Sequence, residues 1–347
     1  MAKLLKFGAT YLLCVLSGWL FARLGLPLPW MIGPLLATAA LALSGVLREA
    51  MPVRTRPFGQ AVVASTVGLS FTAEALRVVI ELMPLLIGMS AMTAGLALAM
   101  SLIQARLSGA KLSRMVLATF PVAPVEAAII AENSGIAAAP VVMAQTLRIA
   151  AVVVAVPLLL YAIDGRPETV SALSPNGDWD APGLALMVLA VLAGGAVFHR
   201  FGWANPFFLG PLAAVGIATA FGADLSPYPP VILGAAQITL GAWLGSTFQA
   251  HLFEGARREL IASTFGTVLL LALVCAGAVL IARLSGLSWE TVILATAPGG
   301  VTEMALTAQY LDQDVSLVTA AHVVRIFLLM PLARPLVRLA RRFDQGP

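Results

Sequence analysis

Apolar residues run along this chain in blocks that repeatedly reach the ~20 residues needed to cross a bilayer core, and short polar turns separate the blocks. In the first half the pattern predicts helices at 4–21 and 30–47, with a P-L-P turn at 27–29 before the second. A short segment at 58–71, interrupted by Gly and Ser, follows, then a long apolar helix at 83–104. Next comes a segment at 112–133 broken by proline, and a last helix at 136–161. The second half repeats the series at 183–198, 207–221, 231–248, 261–281, 289–310 and 315–331. Residues 164–181 between the halves are polar and rich in Pro, Gly and acids, which reads as a linker in water. The domain plan is one membrane repeat over 1–163, the linker over 164–181, and a second repeat over 182–347.

One constant offset of 177 residues aligns the chain with itself. Gly18, Phe21, Arg23, Gly25, Pro29, Gly33, Pro34 and Leu35 fall on Gly195, Phe198, Arg200, Gly202, Pro206, Gly210, Pro211 and Leu212. A-R-L-S-G at 105–109 recurs intact at 282–286. L-A-T-F-P-V-A-P-V-E at 117–126 answers L-A-T-A-P-G-G-V-T-E at 294–303. A single register held this long marks a duplication.

Composition turns this pattern into a class. The chain of 347 residues is 60% hydrophobic and 11% charged, with mean hydropathy +0.94. Soluble domains carry about a quarter charged residues. The expectation is therefore an all-α polytopic membrane protein of two homologous repeats, with 10–12 membrane segments that include Pro-broken or re-entrant helices. The net charge of +4 sits in the loops and in the C-terminal R-x-x-x-R-x-A-R-R at 334–342, a positive-inside anchor. Nucleic acid is not expected as a partner, since no aromatics stand there to stack bases. Five crossings per half with one re-entrant segment would invert the halves, and six would leave them parallel. The Lys/Arg distribution and the acidic linker favour inversion with the N-terminus inside. The many glycines, Gly88, Gly95, Gly194 and Gly195 among them, read as close helix packing. Cys14 and Cys275 lie in apolar runs and read as packing residues.

The chemistry concentrates at the two Pro/Glu stretches. Pro121 and Pro298 each stand five residues before a lone carboxylate, Glu126 and Glu303. Arg148 and Arg325 follow each Glu by 22 residues inside hydrophobic runs. A helix broken at membrane depth exposes unpaired N–H groups at the start of its second half, where a carboxylate is stabilised. Each Glu could carry a proton, ligate Na⁺, or only neutralise the Arg of its own half. Each Arg could grip a carboxylate or phosphate, or only pair with that Glu. Thr119 and Thr296 flank the breaks. Gln60 and Gln237 sit in the short interrupted segments and either line a path or make interhelical hydrogen bonds. His322 stands one turn before Arg325, where the first half has Gln145, and reads as a proton relay or as a satisfied core histidine. His199, His251 and His322 form no ligand spacing, so neither a metal nor another cofactor is expected, and no phosphate-cradling loop is present.

The duplicated G-x-x-F-x-R-x-G…P-x-x-x-G-P-L stretch with A-T-x-P…E resembles the AbrB family of Gram-negative membrane proteins. Its members are often labelled ammonia monooxygenases or regulators of gene expression. The resemblance implies a multi-pass protein of the cell inner membrane. It also implies a fold grouped with the cation/proton antiporter and anion transporter superfamily, with inverted repeats and broken helices. The function expected is ion-coupled secondary transport of a small anionic or amphipathic solute with H⁺ or Na⁺, not enzymatic catalysis. The partners expected are the lipid bilayer, the solute and, compatibly, further copies of the chain. The alternatives are a membrane regulator of gene expression acting through a partner and, behind it, a membrane monooxygenase.

Overall fold

The computed structural model describes residues 2–165, 179–203, 205–250 and 257–344, without the side chains of 2–5, 164 and 257. The centre of the polar linker and His251 lie outside these described residues. Among them every regular element is a helix: α1 (Ala2–Arg23), α2 (Pro29–Leu43), α3 (Arg56–Gly68), α4 (Ala73–Glu81), α5 (Met83–Ser108), α6 (Leu112–Thr119), α7 (Pro124–Asn133) and α8 (Ala138–Asp164). The second half supplies α9 (Ala181–Arg200), α10 (Pro206–Ala220), α11 (Pro230–Ser246), α12 (Arg257–Ser285), α13 (Trp289–Thr296), α14 (Val301–Tyr310) and α15 (Val315–Asp344).

The elements appear where the apolar blocks place them, with two differences. The run expected to end at 331 continues as helix α15 to Asp344, through Pro331 and Pro335. The basic residues Arg334 to Arg342 are thus the last turns of a helix, where cations suit the dipole. Helix α4 has no counterpart among the expected segments, because Glu74, Arg77 and Glu81 make it look like a loop. Thr72 caps it by accepting from the Ala75 N–H, and the chain bends by 91° between α3 and α4.

Helices α5, α8, α9, α12 and α15 are each long and apolar enough to cross a membrane, and the bent pair α3–α4 would add a sixth span. Helices α2, α10 and α11 are shorter apolar helices. Large apolar side chains such as Leu12, Trp19, Phe221, Val231 and Leu284 point outward, which suits lipid and not water.

The chain divides into two compact units, and each draws on both halves. The first comprises Met1–Leu82, Pro157–Thr247 and Ala305–Thr319. Within it α2 packs on α11 and α10 packs on α3, so each pairing is the repeat of the other. Small residues make these crossings close. A Cβ at Gly68 would meet Val215, and one at its repeat mate Gly245 would overlap the Leu35 carbonyl and the Thr38 hydroxyl. Gly194 approaches the Gly210 backbone in the same way, as expected of close packing. Gly88 and Gly95 do not, since nothing lies within 4 Å of a Cβ built there, and on α5 their reading as packing glycines is corrected.

The second unit comprises Met83–Val156, Phe248–Met304 and Ala320–Pro347. Here α5 and α12 pack together, α6 lies on α5, and α13 lies on α12. Gly109 and Gly286, the last residues of the repeated A-R-L-S-G, both take a left-handed backbone, with φ of 71° and 73°. That conformation, open to glycine at little cost, turns the chain from each long helix back into a broken one.

Candidate functional site

Both Pro/Glu stretches break as their sequences require, and at matched positions. Helix α6 stops at Thr119 and α7 starts at Pro124, while α13 stops at Thr296 and α14 starts at Val301. Pro121 and Pro298 lie in the breaks, where a residue without an N–H cannot continue the ladder. The last carbonyls of α6 and α13 then lose their helical partners and point with the negative dipole end into the second unit's interior.

The two arginines donate to carbonyls at, or just past, these helix ends. Arg148 on α8 donates from Nη1 to Thr119 O and from Nη2 to the side-chain oxygen of Gln145. Gln145 in turn donates from Nε2 to the carbonyls of Leu117 and Phe120. Arg325 on α15 donates from Nη1 to Ala297 O at 2.7 Å and from Nη2 to Gly299 O at 2.9 Å. Its neighbour His322 lies with Nε2 2.9 Å from Leu294 O and Nδ1 2.6 Å from Arg325 Nη2. A carbonyl only accepts, so Nε2 carries the hydrogen and Nδ1 is the acceptor for the guanidinium. Leu294 is the repeat mate of Leu117, and His322 that of Gln145, so one device is built twice with different side chains.

Helix α5 serves both breaks. Gln104 accepts from the Thr119 hydroxyl at 2.5 Å, and its amide lies across Gly266 of α12, where any side chain would overlap it. Eleven residues earlier, Thr93 donates to the Thr296 carbonyl at 3.2 Å. The Thr296 hydroxyl turns back to Val292 O.

Sequence reasoning left open whether each arginine pairs with the glutamate of its own half. Among the described residues neither does, for all the partners of both are carbonyls, Gln145 and His322. Arg148 is 3% exposed and Arg325 6%, and the two cations are near enough to feel one another's charge. Arg148 Nε has no acceptor among the described residues. Two buried like charges without a carboxylate are costly, and a bound anion would relieve the cost. Glu126 and Glu303 occupy the first turns of α7 and α14 and are half-buried. The Glu303 carboxylate folds back over Gly300, at the start of its helix.

Gln60 and Gln237 belong to the first unit, on α3 and α11, and not to this cluster. The Gln60 amide faces Asn205 Oδ1 at 3.2 Å and the Arg56 guanidinium at 3.3 Å, and Arg56 stacks over Trp243 at 4.3 Å. Gln145, Gln104, Thr93 and Asp344 were missed as site residues. The signal for the first was its place opposite His322 in the repeat, and for Gln104 and Thr93 a polar side chain inside an apolar run. Asp344 gave none. It reaches from the end of α15 to the N–H groups of Leu112 and Ser113, at 2.6 and 3.2 Å.

Fold and site together define an all-helical, multi-pass membrane protein with two interrupted helices, each held at its break by a buried arginine. The chain belongs to the AbrB family: the family described as "Transition state regulatory protein AbrB" matches residues 1–163 and 50–341, two overlapping segments that span it. It is also similar to the uncharacterized protein YhjN of Bacillus subtilis (strain 168), 27% identical over 356 residues that cover 93% of this chain and 90% of that one.

Proposed function

We propose that this protein is a secondary transporter that carries a small anionic or amphipathic solute across the inner membrane by alternating access. The observation that carries the reading is the pair of buried guanidiniums without a carboxylate, one of them with an unused N–H edge. Arg148 and Arg325 recognise the anion. Glu126 and Glu303, at the starts of the second half-helices, are the carboxylates available to a coupling H⁺ or Na⁺. The halves are inverted and the broken segments re-entrant, an arrangement in which interrupted helices meet a solute at mid-depth.

The test is uptake of isotope-labelled anions into liposomes holding the purified chain. Wild type takes up at least one small anion against its gradient when an H⁺ or Na⁺ gradient is imposed, and Arg148→Gln abolishes that uptake. If Glu126→Gln and Glu303→Gln leave both rate and ion dependence unchanged, the carboxylates have no coupling role. The description of the family as a transition state regulatory protein favours a second reading, a membrane regulator acting through a partner. Specific capture of one soluble partner, with no flux of any solute, would establish it instead.

A further inference from the structure

We infer that His322 is the proton-coupling group, so that the anion moves together with H⁺. This rests on the transport reading above, names its coupling ion as H⁺, and puts the coupled proton on His322 in place of Glu126 and Glu303. The duplication provides the control within one molecule. At the first break Gln145 offers an oxygen to Arg148 and an N–H to the broken helix. At the second break His322 does both jobs with its ring, Nδ1 for Arg325 and Nε2–H for Leu294. An amide suffices for the architecture. The imidazole adds one property the amide lacks, a lone pair that can take up a proton.

The consequence follows from the hydrogen bonds. A proton on Nδ1 sets an N–H against the N–H of Arg325 Nη2 and ends that bond. Arg325 is the charged group that faces the ring, from its own helix. Helix α13 presents the uncharged Leu294 carbonyl, and Arg148 of α8 is the other buried cation, itself under the charge of Arg325. Among the described residues no carboxylate acts on the ring, so a further positive charge there is opposed by the Arg325 guanidinium, with only the Leu294 carbonyl in its favour. An anion held by Arg148 and Arg325 cancels that opposition. Proton binding at Nδ1 then frees Nη2 of Arg325 to turn to the anion. Each ligand favours the other, and by linkage the favour is reciprocal. Glu303, folded over the start of α14, is not among the groups that act on the ring.

The experiment uses liposomes of the full chain with pyranine inside, the membrane potential clamped by K⁺ and valinomycin. The probes are potassium salts of malonate, succinate, methanesulfonate and inorganic phosphate, each also added in labelled form. Wild type acidifies the lumen as at least one anion enters. His322→Gln, which copies the first repeat, lowers the protons moved per anion at least tenfold, while Gln145→His raises that ratio. An unchanged ratio in His322→Gln overturns the inference. Anion uptake by wild type without acidification also overturns it and leaves the transport reading standing, whereas no uptake of any anion removes both. Should His322→Gln fail to fold, Gln145→His alone decides, and an unchanged ratio there counts against the proposal.

Discussion

A guanidinium at the end of a broken helix closes hydrogen bonds that nothing else can reach, and its planar fork lets one side chain serve two acceptors. Lysine keeps the charge but loses that geometry. Arg148→Lys should therefore leave either Thr119 O or Gln145 without its donor and cost about 1–3 kcal/mol. Thermal unfolding in detergent measures this, and the same variant should bind anions more weakly because the Nε–H edge is gone. The residue scale is also where the sequence is most ambiguous. Arg148, Arg325, Glu126 and Glu303 stand out as lone charges in apolar runs, but nothing in the spacing says that the arginines turn to carbonyls instead of to the carboxylates. A side chain with several bonds can reach many partners, and the packing of helices chooses among them.

Helix α6 shows how an element can depend on a residue more than two hundred positions away. The residue before it, Lys111, has no side-chain acceptor, whereas its repeat mate Ser288 caps α13 by accepting from the Thr291 N–H. Asp344 supplies the missing acceptor from the end of α15. Asp344→Ala should cost about 0.5–2 kcal/mol and speed hydrogen exchange at the first amides of α6. Lys111→Ser in that background should restore both, since it rebuilds the cap locally. A second contrast concerns glycine. Gly245→Ala forces a methyl into the Leu35 carbonyl and should destabilise by about 1–3 kcal/mol, as overpacked cores do. Gly95→Ala, with open space around it, should stabilise α5 by up to about 1 kcal/mol. Melting curves of the two variants should shift in opposite directions.

At the scale of the whole molecule, duplication places the first segments of each half in one compact unit, so α2 meets α11 as α10 meets α3, while 305–319 joins that unit and its counterpart 128–142 belongs to the other. If the halves are inverted, equivalent loops lie on opposite faces of the membrane. In a background with Cys14→Ala and Cys275→Ala, Lys111→Cys should react with an impermeant maleimide only after the inner face is opened. Ser288→Cys should react from outside in intact cells. Labelling of both from one side would mean parallel halves.

The sequence by itself determined the membrane class, the duplication, nearly every helix and both break points. These depend on local composition, on one fixed offset, and on prolines that cannot carry a helix through. It could not reveal α15 beyond Pro331, since two prolines and a run of arginines look like an end when neighbours are unknown. Only the tertiary structure decided which groups face each other at the breaks. It turned Arg148 and Arg325 toward orphaned carbonyls, set Gln145 and His322 in one role, and sent Asp344 to cap α6. Those pairings depend on which surfaces bury against which, and sequence distance carries no record of that.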